Sequence, residues 1–305
     1  MAIFPLGAIV KNRREELNLT QEELADGICS VPTLSRIENG ERIPTKGIYE
    51  MLMQRLGYSE MSLDFFTNRK EFTLYNLKFK MRQAYVFGDF DLAKGYLADF
   101  MNLCNMESPM DSQFMQLYDV LLYEDKYTLN ERLEKLEQAL NLTCTKYAQG
   151  KYPKVLTYEE IILLNNIAVC YAEGGNQNTA IAILTMLKDY YSSKVINMEE
   201  ALRTQPMVLY NLSKYLGRNG NYDECIDVCD LGIGIARKTG RCLSLHQTMY
   251  NKAWALLRRG GIGDGEIAQK TLESAIALAD ALGYQADCEF MKEFYHRTFS
   301  AAESE

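Results

Sequence analysis

The sequence predicts an all-α protein in which a small helical domain, residues 1–66, precedes a larger array of helix pairs, residues 67–305. Three observations predict it. Apolar residues recur at three- and four-residue spacing nearly throughout, only six prolines occur, and runs alternating apolar with polar residues are scarce. Pro32, Pro44, Pro109, Pro153 and Pro206 each fall at or near a place where a helix can start, which suits a ring tolerated in the first turn. At 305 residues the chain exceeds what one compact core usually holds, so a small domain plus an elongated array is the expected division.

Five short helices are expected in the first domain. Residues 6–17 form one, ended by Asn18 in the left-handed conformation. Thr20 caps the next, with Glu23 three residues on completing a capping box, and Gly27 ends it. Ser30 caps a third helix that runs to Asn39 and stops at Gly40. Thr45 caps a fourth that ends at Gly57, and a fifth covers roughly 62–66.

From about Glu71 the helices lengthen and come in pairs. Asn166, Asn211 and Asn251 each precede a glycine (Gly175, Gly220, Gly260) by nine residues, and a small residue (Ala168, Ser213, Ala253) follows each asparagine by two. On the second helix of each pair, Ala180, Leu184 and Leu187 match Cys225, Cys229 and Gly232. A third set, Ala268, Leu272 and Ala275, follows after a three-residue insertion in its turn. A unit of this length cannot bury its apolar face alone, so copies must stack into a solenoid with a concave inner surface. Leu164, Ile167, Ala168, Tyr171, Gly175, Ala180 and Leu184 resemble the tetratricopeptide signature. Gly88-Asp89-Phe90 and Gly220-Asn221-Tyr222 resemble its turn. That resemblance implies a right-handed α-solenoid of about five helix pairs, the first two (71–103 and 111–142) degenerate, with a capping helix over 286–300.

Hydrophobic content of 47% and charged content of 24% exclude long disorder, and no window has the roughly 18 uncharged apolar residues of a spanning helix. Met1 to Val10 lacks the basic start and cleavage site of an export signal. A cytoplasmic protein with no membrane contact is expected. Its eight cysteines then read as reduced core thiols. Cys225 and Cys229 lie one turn apart without further ligands nearby, so no metal or other cofactor is expected. The net charge of -8 is unusual for a nucleic-acid binder, and residues 1–66 carry seven basic against ten acidic side chains. Any DNA-binding surface there must be a local basic patch.

Thr20-Gln21-Glu22-Glu23-Leu24-Ala25 followed by Leu34-Ser35-Arg36-Ile37-Glu38-Asn39-Gly40 resembles the lambda-Cro-like (XRE) helix-turn-helix family, over residues 6–66 and one residue shorter between the halves than many members. The resemblance implies a lambda-repressor-like domain whose third helix enters the major groove of double-stranded DNA. By position it assigns Gln21 to phosphate and to bracing the third helix. Val31, Pro32, Thr33 and Arg36 are assigned to base edges, and Ser30, Asn39 and Arg42 to the backbone. Arg14 and Glu38 correspond to a structural ion pair joining the first and third helices. One recognition helix reads few base pairs, so a homodimer on a pseudo-palindromic operator is expected.

The first helix of each tetratricopeptide pair lines the inner wall. There Asn166, Asn211 and Asn251 share a phase with Lys214, Arg218, Trp254 and Arg258, and Gln247 lies one turn before Asn251. Asparagine amides match the backbone of an extended peptide whatever its side chains, and the basic residues suit a terminal carboxylate. A bland alternative is that each asparagine bonds a neighbouring helix's backbone. Domain order, length and the asparagine phase together resemble the RRNPP family of quorum-sensing regulators. That implies a transcription regulator controlled by a short signalling peptide in the concave groove. Two alternatives stay open: a repeat protein that binds a partner protein, and an XRE regulator whose repeats only dimerise. Enzyme readings fare poorly. His246 and His296 are the only histidines and neither neighbours a nucleophile pattern. Gly260-Gly261-Ile262-Gly263-Asp264-Gly265 lies between helices, where it reads as a flexible turn rather than a phosphate loop.

Overall fold

The computed structural model describes residues 6–57, 69–192 and 198–299, and every described element is helical, as the sequence predicts. The expected fifth short helix over 62–66 lies outside the described residues. Four helices form the N-terminal domain: α1 (Leu6–Glu16), α2 (Gln21–Ala25), α3 (Val31–Glu38) and α4 (Lys46–Arg55). Their boundaries follow local chemistry. Asn18 takes φ 51°, the Thr20–Glu23 capping box is formed, and Ser30 and Thr45 cap α3 and α4 through the backbone N–H of Thr33 and Ile48. Leu24, Leu34, Ile37 and Leu52 fill the core of this domain.

Helix pairs follow: α5 (Arg69–Val86) with α6 (Phe90–Leu103), then α7 (Pro109–Leu122) with α8 (Leu129–Asn141). Next come α9 (Tyr158–Glu173), α10 (Gln177–Ser192), α11 (Met198–Arg218) and α12 (Tyr222–Thr239). The pair α13 (Leu245–Arg259) and α14 (Asp264–Ala281) precedes the terminal α15 (Gln285–Phe299). Gly175, Gly220 and Gly260, picked out by their spacing from asparagine, take φ 85°, 85° and 67°, a region that admits few side chains. The small residues Ala168, Ser213 and Ala253 are fully buried, and so are Ala180, Cys229 and Ala268 on the partner helices. Repeat spacing therefore reports where helices approach. Cys225 and Cys229 are buried as core side chains.

Two local expectations change. Pro206 lies inside α11 rather than at its start, where it removes one intrahelical hydrogen bond. Burial of Val208, Leu209 and Leu212 just beyond it holds the helix. The glycine-rich turn after α13 is tied down rather than loose. Asp264, itself buried, accepts from Arg259 Nε at 2.8 Å, Arg259 Nη2 at 2.7 Å and the Gly261 N–H at 2.9 Å.

The described residues divide into two compact units, the first comprising those up to Cys170 together with 198–200, the second Tyr171–Ser192 and those from Ala201 on. In the first unit the N-terminal domain packs on the segment between α8 and α9 and on the start of α9. A Cβ on Gly27 would meet the Thr143 carbonyl oxygen at 1.9 Å, and Thr145 Oγ1 donates to Asp26 at 2.6 Å. Arg55 Nη2 donates to Glu160 at 2.7 Å, and Gln54 Oε1 accepts from the Tyr158 N–H at 3.1 Å. No helix among the described residues is long and apolar enough to cross a membrane.

Candidate nucleic-acid interface and ligand cleft

α3 has one face in the core and one in solvent, as its 3.6-residue period requires. Leu34 and Ile37 are buried, whereas Ser30, Val31, Pro32, Arg36, Asn39 and Arg42 are exposed and Thr33 is half-buried. An apolar side chain such as Val31 at 38% exposure, beside a proline, offers shape and methyl contact rather than hydrogen bonds. The hydroxyls of Ser30 and Thr33 lie 2.9 Å apart, and the Ser30 oxygen accepts from the Thr33 N–H, so both hold the helix start. After α3 the chain turns back, and the N–H groups of Glu41 and Arg42 both donate to the Arg36 carbonyl, so the backbones of the two exposed arginines are neighbours. Lys46 is withdrawn from any such patch, since it is buried, pairs with Glu50 at 3.4 Å and sits over the Tyr75 ring. Arg36 and Arg42 are thus exposed cations at the end of α3, with the exposed Glu41 between them in sequence, in a domain of net negative charge.

The frame behind α3 is a buried carboxylate. Glu38, 6% exposed, accepts from Arg14 Nε at 2.6 Å, Arg14 Nη2 at 3.0 Å and Gln21 Nε2 at 2.8 Å, so one residue joins α1, α2 and α3. The Glu38 bond pushes the Arg14 guanidinium further up than burial pulls it down. The Arg14–Glu38 pair implied by the family resemblance is present, and Gln21 makes its bracing contact. Sequence reasoning missed Gly7, where a Cβ would meet the Ile37 carbonyl oxygen at 2.0 Å, so α1 crosses the end of α3 backbone to backbone.

The second unit holds a cleft of about 320 Å³ between α11, α13 and α15, with Cys225 of α12 also in its wall. Lys214, Arg218, Gln247, Asn251 and Trp254 line it, as do Tyr210 and Tyr250. Burial, and next to it Arg218, hold the Lys214 ammonium below the usual lysine range. Neither Lys214 nor Arg218 forms an ion pair among the described residues. Burial pushes the hydroxyls of Tyr210 and Tyr250 up, so both remain protonated donors.

The other expected ligand residues are placed differently. Asn166 belongs to the first unit, half-buried, with Nδ2 donating to the Ile162 carbonyl one turn back at 2.8 Å. Asn211, 8% exposed, is not among the residues lining the cleft. Asn251 spends its Nδ2 on α11, on the Ser213 hydroxyl at 2.9 Å and the Tyr210 carbonyl at 3.3 Å, while its Oδ1 accepts no hydrogen bond among the described residues. Arg258 is exposed, with its guanidinium 5.2 Å from the centre of the Trp254 ring.

Three lining residues of α15, Asp287, Phe290 and Met291, had no signal in the repeat pattern, which marks this helix only as a cap. Asp287 Oδ2 accepts from Gln247 Nε2 at 3.0 Å and pairs with His246 Nε2 at 2.8 Å. His246, 2% exposed, stacks on Tyr284 with centroids 4.5 Å apart. Among the described residues the cleft thereby has two cationic side chains, one carboxylate and an aromatic wall of Trp254, Tyr250 and Phe290. Such a mixture suits a small zwitterionic or peptide-like ligand.

Comparison with known proteins places these features in context. A helix-turn-helix model matches residues 10–63, and a model described as the RNPP family C-terminal domain matches residues 125–286. No curated protein sequence matches the chain. Among solved structures, PlcR of Bacillus thuringiensis in complex with the peptide PapR7 and DNA aligns with a TM-score of 0.60 at 19% identity. That alignment covers 94% of this chain and 98% of PlcR. ComR of Streptococcus vestibularis in complex with its cognate signalling peptide XIP aligns with a TM-score of 0.52 at 16% identity, covering 94% and 96%. ComR of S. thermophilus in complex with DNA and its signalling peptide ComS gives 0.50 at 16%, covering 95% and 98%. At these identities the likeness is one of fold.

Proposed function

The chain belongs to the RNPP family, a family of regulators rather than enzymes, and on that premise we propose that it is a cytoplasmic, sequence-specific transcription regulator controlled by a short signalling peptide. Residues 1–66 are the reading head and residues 67–305 the sensor. The observation that carries this reading is the pairing of an outward-facing α3, with Arg36 and Arg42 exposed, and a cleft in the second unit whose cations form no ion pair among the described residues. Structural neighbours crystallised with DNA and a signalling peptide support it.

In this reading Arg36 bonds a guanine edge, Val31, Pro32 and Thr33 fit the groove floor, and Gln21, Ser30, Asn39 and Arg42 set register on phosphates. The peptide lies along α11 and α13 against Lys214, Arg218, Gln247, Asn251 and Trp254. Arg258, Asn211 and Asn166 are further contacts to be tested one by one. Two copies bind a pseudo-palindromic operator as a homodimer, and the peptide favours whichever arrangement of the two heads it binds better. Selection of duplexes from a random pool, with and without a short-peptide library, tests both halves. Enrichment of a two-fold symmetric site whose yield changes with peptide supports the reading, and enrichment of nothing under either condition defeats it.

A further inference from the structure

Among the described residues, Asp287 is the one acidic side chain that lines the cleft. Its Oδ2 is fixed by His246 and Gln247, while its Oδ1 accepts no hydrogen bond among the described residues. It sits level with Gln247, near the start of α13. The cations sit at the other end, because Gly217, between Lys214 and Arg218, packs against the Trp254 ring, 3.3 Å from where a Cβ would stand. Gln247 and Trp254 are seven residues apart on one helix, a rise of about 10 Å. An extended chain covers that distance in about three residues.

We propose that the cleft is a dipolar receptor for the last three residues of a peptide. The free C-terminal carboxylate rests on Lys214 and Arg218, and a cation two residues upstream rests on Asp287. The cation is either the α-ammonium of a tripeptide or a lysine or arginine side chain of a longer peptide. Asn251 Oδ1 receives a backbone N–H between the two ends, and the central and terminal side chains lie on Trp254, Tyr250 and Phe290. Charge at both ends fixes chain direction, since a reversed peptide would face like charge with like. The inference rests on the reading of the cleft as a peptide site.

Trp254 is the only tryptophan of the chain, so its emission reports on this cleft. The test titrates the full chain with Lys-Leu-Phe, its C-terminal amide, Gly-Leu-Phe, N-acetyl-Lys-Leu-Phe and N-acetyl-Gly-Leu-Phe. Loss of either charge-assisted contact is expected to weaken binding by roughly tenfold or more. The amide and N-acetyl-Gly-Leu-Phe should therefore both fall below Lys-Leu-Phe. Gly-Leu-Phe against N-acetyl-Lys-Leu-Phe separates the ammonium from the side chain. In Asp287→Asn, which keeps an acceptor for His246 and Gln247, the advantage of an upstream cation should vanish while the preference for acid over amide remains. Equal affinity for acid and amide, or an upstream-cation preference that survives Asp287→Asn, overturns the proposal, and the first of these needs no variant. If longer peptides bind at Trp254 but obey neither rule, the three-residue register is wrong and the peptide site stands. If no peptide from a random library binds, the peptide reading falls as well.

Discussion

Arg55 at the end of α4 donates to Glu160 in the first turn of α9 at 2.7 Å, across 105 residues of sequence, and the two side chains are 1% and 0% exposed. Glu160 is otherwise well served, accepting from the Thr143 hydroxyl and the Thr157 N–H, both at 2.8 Å. Arg55 is not, since its Nε and Nη1 have no partner among the described residues. The reading head is thus joined to the start of the third helix pair by a buried ion pair whose cation is only partly satisfied. Removing one member leaves an uncompensated buried charge. Arg55→Met alone is expected to cost about 3–5 kcal/mol, whereas Arg55→Met with Glu160→Gln should return to within roughly 1 kcal/mol of wild type. Chemical denaturation of wild type, Arg55→Met, Glu160→Gln and the double variant decides, and additive costs would show that the pair is not coupled.

Two glycines with the same backbone conformation make a controlled comparison. Gly27 (φ 70°) abuts the Thr143 backbone, while Gly40 (φ 74°) faces open space. Gly40→Ala should cost only the left-handed strain, about 1–2 kcal/mol. Gly27→Ala adds overlap with a carbonyl that cannot swing aside, roughly a further 1–3 kcal/mol. Melting curves for the two variants test the contact, and equal shifts would mean that the segment at Thr143 yields freely.

The two exposed arginines of the reading head should behave differently on DNA. Arg36→Ala is expected to lose about 1–3 kcal/mol at one base pair and to relax preference there. Arg42→Ala should weaken all sequences alike and lower the salt slope by about 1. Binding to a selected operator and its single-base variants at several salt concentrations separates them. Identical base preferences in Arg36→Ala and wild type would remove Arg36 from the base edges.

Lys214 gives the cleft a pH signature. Its ammonium is held below the ordinary lysine range by burial and by Arg218, and a bound carboxylate favours the charged form. Affinity for a free-acid peptide should be flat near neutral pH and fall as pH rises through that lowered value, before an ordinary lysine deprotonates at about 10.4. Lys214→Arg, which stays charged, should flatten the fall. Calorimetric titration at stepped pH checks this, and a decline that persists in Lys214→Arg would assign it to another group.

The sequence by itself determined the all-α class, the caps at Thr20, Ser30 and Thr45, the left-handed turns at Gly175, Gly220 and Gly260, and the small buried residues where helices meet. These signals act within about three turns of helix, so a residue and its immediate neighbours carry them whole. It also placed Lys214, Arg218, Gln247, Asn251 and Trp254 on one wall, because a repeat carries its phase from copy to copy. Tertiary structure alone decided which faces meet. Asp287 reaches Gln247 across 40 residues and Arg55 reaches Glu160 across 105, and Asn251 turns its amide nitrogen inward to Ser213. None of these partners is marked by local pattern, because a charged or amide side chain reads the same in sequence whether it meets solvent, a ligand or another helix. Only the packing that excludes water around it settles which.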